Sequence, residues 1–126
     1  MPITVQLPHH KLHAFGVAKE LLVAVRDSAV RDADLRNQAL RAARSACLNT
    51  AEGAARVSRA DKARVFAIAR GEACEAAAAI EIAALTGVAR DKTRSAWRSS
   101  PIGSWRCSPG SFGEAPRPRP RPHAPG

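Results

Sequence analysis

The sequence predicts an all-α fold, an up-and-down antiparallel helical bundle, and three observations carry that prediction. Apolar residues recur at steps of three and four through most of the first 87 residues. The breaks between these runs are short and polar, which sets consecutive helices side by side and antiparallel. Ser, Asp and Gly stand where helices should start and stop. Three helices are expected, over about 9–28, 33–53 and 58–86.

Pro2 and Pro8 bound an extended lead-in. From His9, the positions Leu12, Phe15, Ala18, Leu22, Val25 and Ala29 share one helical face. His9 and His13 are four apart and His10 and His13 three apart, spacings that can hold a metal, although a solvated first turn is the ordinary role of such histidines. The polar link that follows offers Asp32 or Asp34 to the positive end of the next helix. On that helix Leu35, Ala39, Ala42, Ala46 and Asn49 form a seam that Gly53 is expected to stop. Asn49 on the seam would fix register or bond a neighbouring backbone rather than bind a ligand.

Ser58 and Asp61 make a capping arrangement for the third helix. Its seam is Phe66, Ala69, Ala73, Ala76, Ile80 and Ala83, closing at Gly87. Gly71 costs about 1 kcal/mol relative to Ala in a helix interior, so something should pack tightly against it. Cys47 and Cys74 fall inside helices, where a free thiol behaves as a small apolar residue. An odd count of three cysteines without short spacings argues against a disulfide framework or a zinc site.

Composition limits what this bundle can be. Between Leu12 and Leu85 there are only eighteen Leu, Ile, Val or Phe residues, so the core is thin and an oligomer is expected. The net charge of +9 is unevenly shared: residues 1–87 carry twelve Lys/Arg against nine Asp/Glu, and residues 88–126 eight against two. The body is thus only mildly basic, and pI alone is a poor guide to nucleic-acid binding. No apolar run is long enough to cross a membrane, and a cytoplasmic location is expected.

Asn49-Thr-Ala-Glu-Gly53, Arg56, Ser58, Phe66-Ala-Ile-Ala-Arg70-Gly71, Glu75 and Leu85-Thr-Gly87 together resemble the four-helix bundle family of 23S ribosomal RNA intervening sequences. That family is related to the accessory variability proteins of diversity-generating retroelements. The resemblance covers about residues 9–87 and implies a small cytosolic bundle, assembled as a ring of five, without enzymatic activity or cofactor. For the retroelement relatives it implies binding of nucleic acid and of a reverse transcriptase. The family motif falls on Asn49, Glu52, Gly53, Arg56, Ser58, Arg70 and Gly71.

The chain divides at Gly87 into the bundle domain, 1–87, and a basic Pro/Arg-rich tail, 88–126, whose composition favours disorder. Seven of the nine prolines lie beyond residue 100, where the family expects a fourth helix. If Pro101–Gly110 is encoded as CCG ATC GGA TCG TGG CGA TGC TCA CCG GGN, reading two bases later gives Asp-Arg-Ile-Val-Ala-Met-Leu-Thr-Gly, an amphipathic helix. The tail is therefore expected to be out of the ancestral frame, with the fourth helix degenerate or absent and an apolar seam left uncovered.

Three functional readings follow. The first is a non-enzymatic oligomeric scaffold touching RNA or DNA through Arg36, Arg41, Arg44, Arg56, Arg59 and Arg70. Close behind is a purely structural or protein-interaction module with no nucleic-acid ligand. The third, a ferritin-like metal enzyme, would draw on Glu52, Glu72 and Glu75 but lacks the Glu-x-x-His pairs that such chemistry uses. The stretch from Asn49 to Gly71 itself reads as a helix-hairpin corner in which Glu52, Arg56 and Arg70 pair, so that Glu52→Ala or Arg70→Ala should lower the melting temperature or disturb assembly.

Overall fold

The computed structural model describes residues 5–89. Three α-helices account for most of them: α1 His13–Asp27, α2 Ala33–Ala55 and α3 Arg59–Leu85. No strand is present among the described residues, and α2 and α3 form the main pair, with α1 laid chiefly on α2. No helix among these residues is long and apolar enough to cross a membrane.

Each boundary has a local cause. The first helix starts later than expected, because Pro8–Lys11 forms a 3₁₀ turn and Leu12 is extended. The His10 ring stabilises that turn, its Nδ1 accepting the Leu7 N–H at 3.1 Å. Leu12 has no side-chain cap to offer α1. At the far end Ser28 donates its hydroxyl to the Val25 carbonyl at 2.6 Å. Asp32 is the cap of α2, accepting from the Leu35 N–H at 2.8 Å. Ser58 caps α3 as expected, accepting from the Asp61 N–H at 3.1 Å. Thr86 and Gly87 end it, the glycine in the left-handed region at φ 72° where other residues are strained.

Gly53 does not stop α2, which runs two residues further to Ala55. It is buried inside the helix because the Phe66 ring of α3 lies on its backbone: a Cβ there would meet Phe66 Cε1 at 2.7 Å. The reverse holds at Gly71, where nothing among the described residues comes within 4 Å of a notional Cβ. The tight packing expected at Gly71 occurs at Gly53 instead.

Among the described residues, eleven of the seventeen buried hydrophobic ones are alanine, among them Ala39, Ala42, Ala46, Ala69, Ala76 and Ala83. Such small side chains let the helix axes approach closely but remove little apolar area each. Most of the larger apolar volume comes from Leu21, Val25, Val30, Val65 and Ile80. On α3 the expected seam holds from Ala69 to Ala83, while Val65 rather than Phe66 is the fully buried residue at its start. On α2 the deep position is Thr50, not Asn49; its hydroxyl donates to the Ala46 carbonyl at 2.7 Å and leaves nothing unsatisfied. Ile68, Ile82, Leu85 and Val23 remain exposed.

After α3 the chain folds back on the α1–α2 link. Val30 and Ala89 make an isolated antiparallel bridge, and the Arg31 N–H donates to the Val88 carbonyl at 2.8 Å. Cys47 is buried and free, and burial pushes its thiol up, away from the reactive thiolate. Cys74 is disulfide-bonded, contrary to expectation. Sequence spacing measures only separation along the chain, and an odd count still leaves room for one pair.

Candidate functional site

The corner between α2 and α3 brings five of the seven motif residues together. Asn49 sits on the last turns of α2, where its Nδ2 donates to the Ser45 carbonyl at 2.9 Å and to Ser45 Oγ at 3.1 Å. Its side chain is thus spent within its own helix. Glu52 accepts from Arg56, and Arg56 reaches across the link to Asp61 at 3.5 Å. Asp61 in turn pairs with Arg64 at 3.4 Å. The hydrogen bond with Glu52, then the charges of Glu52 and Asp61, hold the Arg56 guanidinium above its ordinary pKa. Lys62 Nζ donates to the Ala54 carbonyl at 3.3 Å, satisfying an acceptor that the end of α2 leaves open.

Arg70 and Gly71 are not part of this corner. Arg70 lies twelve residues beyond Ser58, about 18 Å along α3 at the helical rise. It makes no ion pair among the described residues, and the third member of the corner network is Asp61, not Arg70. Asp61 was legible as a capping residue but not as the cross-link, since nothing in linear spacing tells which carboxylate a guanidinium will reach. Thr50 and Lys62 also escaped the sequence reading, because both act on carbonyls rather than on side chains.

This network is solvent-exposed, and exposed ion pairs contribute little and are screened by salt. Glu52→Ala is therefore expected to lower the melting temperature modestly at low ionic strength. The difference should close at about 1 M salt, where the Debye length is ~3 Å. Equal loss at both salt concentrations would mean that Glu52 works through packing.

The six arginines considered for nucleic acid divide into two groups. Arg36 donates to the Val30 carbonyl at 3.2 Å, Arg41 reaches Glu75 at 3.8 Å, and Arg56 belongs to the corner. Arg44, Arg59 and Arg70 make no ion pair or side-chain hydrogen bond among the described residues. Arg41 and Arg44 share the outward face of α2 with Leu48, which is 72% exposed.

The remaining candidates take ordinary places. His9 stacks edge-on with His10 and with Phe15, whose ring centroid is 4.6 Å away. No group of three His, Cys, Asp or Glu among the described residues is placed to hold a metal. Glu52 and Glu75 lie on the surface in ion pairs, and Glu72 is half-buried.

A family model described as 23S rRNA-intervening sequence protein matches residues 11–100. The chain belongs to that family. Its match takes in all three helices and continues past the described residues, and the tail and degenerate fourth helix expected beyond Gly87 lie almost wholly outside those residues. No curated protein matches the chain. The 23S rRNA-intervening sequence family thus accounts for the small helical body.

Proposed function

We propose that the chain is a non-enzymatic, oligomeric helical-bundle scaffold of the cytoplasm that engages RNA or DNA. The observation that carries this reading is that three of the candidate arginines, Arg44, Arg59 and Arg70, make no ion pair or side-chain hydrogen bond among the described residues, in a family whose name refers to 23S rRNA. Unpaired guanidinium groups are available to phosphates, and neutralising them releases counterions. The alanine-rich core and the exposed Ile68, Ile82 and Leu85 support association, with a ring of five suggested by family resemblance. A reverse transcriptase belongs among the partners where the gene lies in a retroelement cassette.

A purely structural or protein-interaction role is favoured by a different observation. Arg36, Arg41 and Arg56 are already engaged by protein acceptors, which halves the arginine set. Titration of a labelled 23S rRNA fragment and of a DNA duplex separates the two. Binding that weakens with salt, and loses about one unit of salt slope per arginine in Arg44→Ala, Arg59→Ala and Arg70→Ala, supports the first reading. Absence of binding at low ionic strength leaves the second.

A further inference from the structure

Cations and aromatic rings come together on the side of the bundle where α1 lies on α2. Phe15, Lys19, Leu22 and Arg26 form one stripe of α1, and Leu40, Arg44, Cys47 and Ala51 one stripe of α2, each at steps of four, three and four. Leu22 and Leu40 pack against the core cluster, so the stripes flank the α1–α2 contact, and none of their eight positions is acidic. Burial pushes the Cys47 thiol up and the charge of Lys19 pulls it partly back, which sets that ammonium within electrostatic reach of α2, one turn from Arg44. Lys19 and Arg44 are exposed, and neither makes an ion pair among the described residues. Arg26 is tied only to its neighbour Asp27, at 2.8 Å. At the other end of the stripe the Lys19 ammonium stands 5.0 Å from the centre of the Phe15 ring. His9 meets Phe15 edge-on, and His10 meets His9 at 4.4 Å. The His10 ring is exposed and held in place by the hydrogen bond it accepts from the Leu7 N–H.

We infer that this α1–α2 face binds single-stranded nucleic acid, Lys19 and Arg44 holding the phosphate backbone while a base stacks on His10. The proposal rests on the nucleic-acid reading above and names the face and the kind of strand. Its argument is charge complementarity joined to the rings. Cations that no carboxylate neutralises attract a polyanion, whereas they repel the same face of a second copy. They also repel the segment 88–126, which carries eight Lys/Arg against two Asp/Glu. The rings decide between strand types. A paired base is already stacked within its duplex and has no face to offer, while an unpaired base has a free face for an exposed ring beside a basic groove. Arg59 and Arg70 belong to α3 and lie outside both stripes.

Fluorescence anisotropy of the full 126-residue chain with a labelled oligouridylate of about twelve nucleotides, and with an RNA duplex of the same length, tests this. The single strand is expected to bind more tightly. Lys19→Ala and Arg44→Ala should each remove about 0.7 from the slope of log affinity against log salt. His10→Ala should raise the dissociation constant for the single strand about tenfold and leave that slope unchanged, because a stacked ring displaces no counterion. His10→Phe, which keeps a ring and loses the acceptor for the Leu7 N–H, should bind close to the unsubstituted chain. A salt slope that falls in Arg59→Ala and Arg70→Ala but not in Lys19→Ala or Arg44→Ala overturns this face and leaves the nucleic-acid reading standing. So does tighter binding of the duplex than of the single strand. Absence of binding to either probe at low ionic strength overturns both.

Discussion

Leu21→Ala is expected to destabilise the bundle by about 3 kcal/mol, measured by urea unfolding. Leu21 is only 1% exposed and is among the largest fully buried side chains in the protein. The core cluster to which it belongs is mostly alanine, including Ala39, Ala42, Ala43, Ala76 and Ala79. Alanines have no side-chain freedom with which to fill a cavity, so the site collapses poorly and the cost falls in the middle or upper part of the range for such truncations. Because α1 packs mainly on α2, the loss should appear first as detachment of α1. A cost below about 1 kcal/mol would mean that Leu21 is not the anchor that its burial indicates.

Gly53→Val is expected to cost about 2 kcal/mol, although valine is the better helix former. Its Cβ would stand 2.7 Å and 2.8 Å from two atoms of the Phe66 ring, well inside van der Waals contact. The ring belongs to α3 and cannot yield without opening the corner or exposing itself further. Gly53→Ala meets the same Cβ contact but recovers about 1 kcal/mol of helix propensity, so its net effect is smaller. The decisive measurement is a double-substitution cycle with Phe66→Ala. The pair should cost less than the sum of the single changes by about 1 kcal/mol or more, since removing the ring removes the clash. Strict additivity would place the strain of Gly53→Val elsewhere.

Gly53 also shows what the sequence conceals. Both Gly53 and Gly71 lie where a glycine needs a reason, and convention assigns the first to a helix end and the second to close packing. The structure reverses this, because close approach is a property of two helices together and the Phe66 ring happens to fall over Gly53. Periodicity along one helix carried more. The alanine positions from Ala69 to Ala83, the caps Asp32 and Ser58, and the stop at Gly87 were all legible, since each depends on contacts within a turn or on one repeating face. Asn49 was misplaced by a single residue from the buried Thr50, a step of about 100° round the helix that decides which side chain faces the core. For the candidate site, the place expected for Arg70 in the group around Glu52 and Arg56 is taken by Asp61 for the same reason: the corner's geometry is set by the three-residue link, which periodicity does not describe.

The bridge from Val30 to Ala89 closes the three helices into a loop before the chain goes on. Like a clasp, it fastens the last described residues to the α1–α2 link, at the end of the bundle away from the Glu52–Asp61 corner. The chain therefore goes on from the α1–α2 end of the bundle, a full helix length from the corner where α2 and α3 are tied.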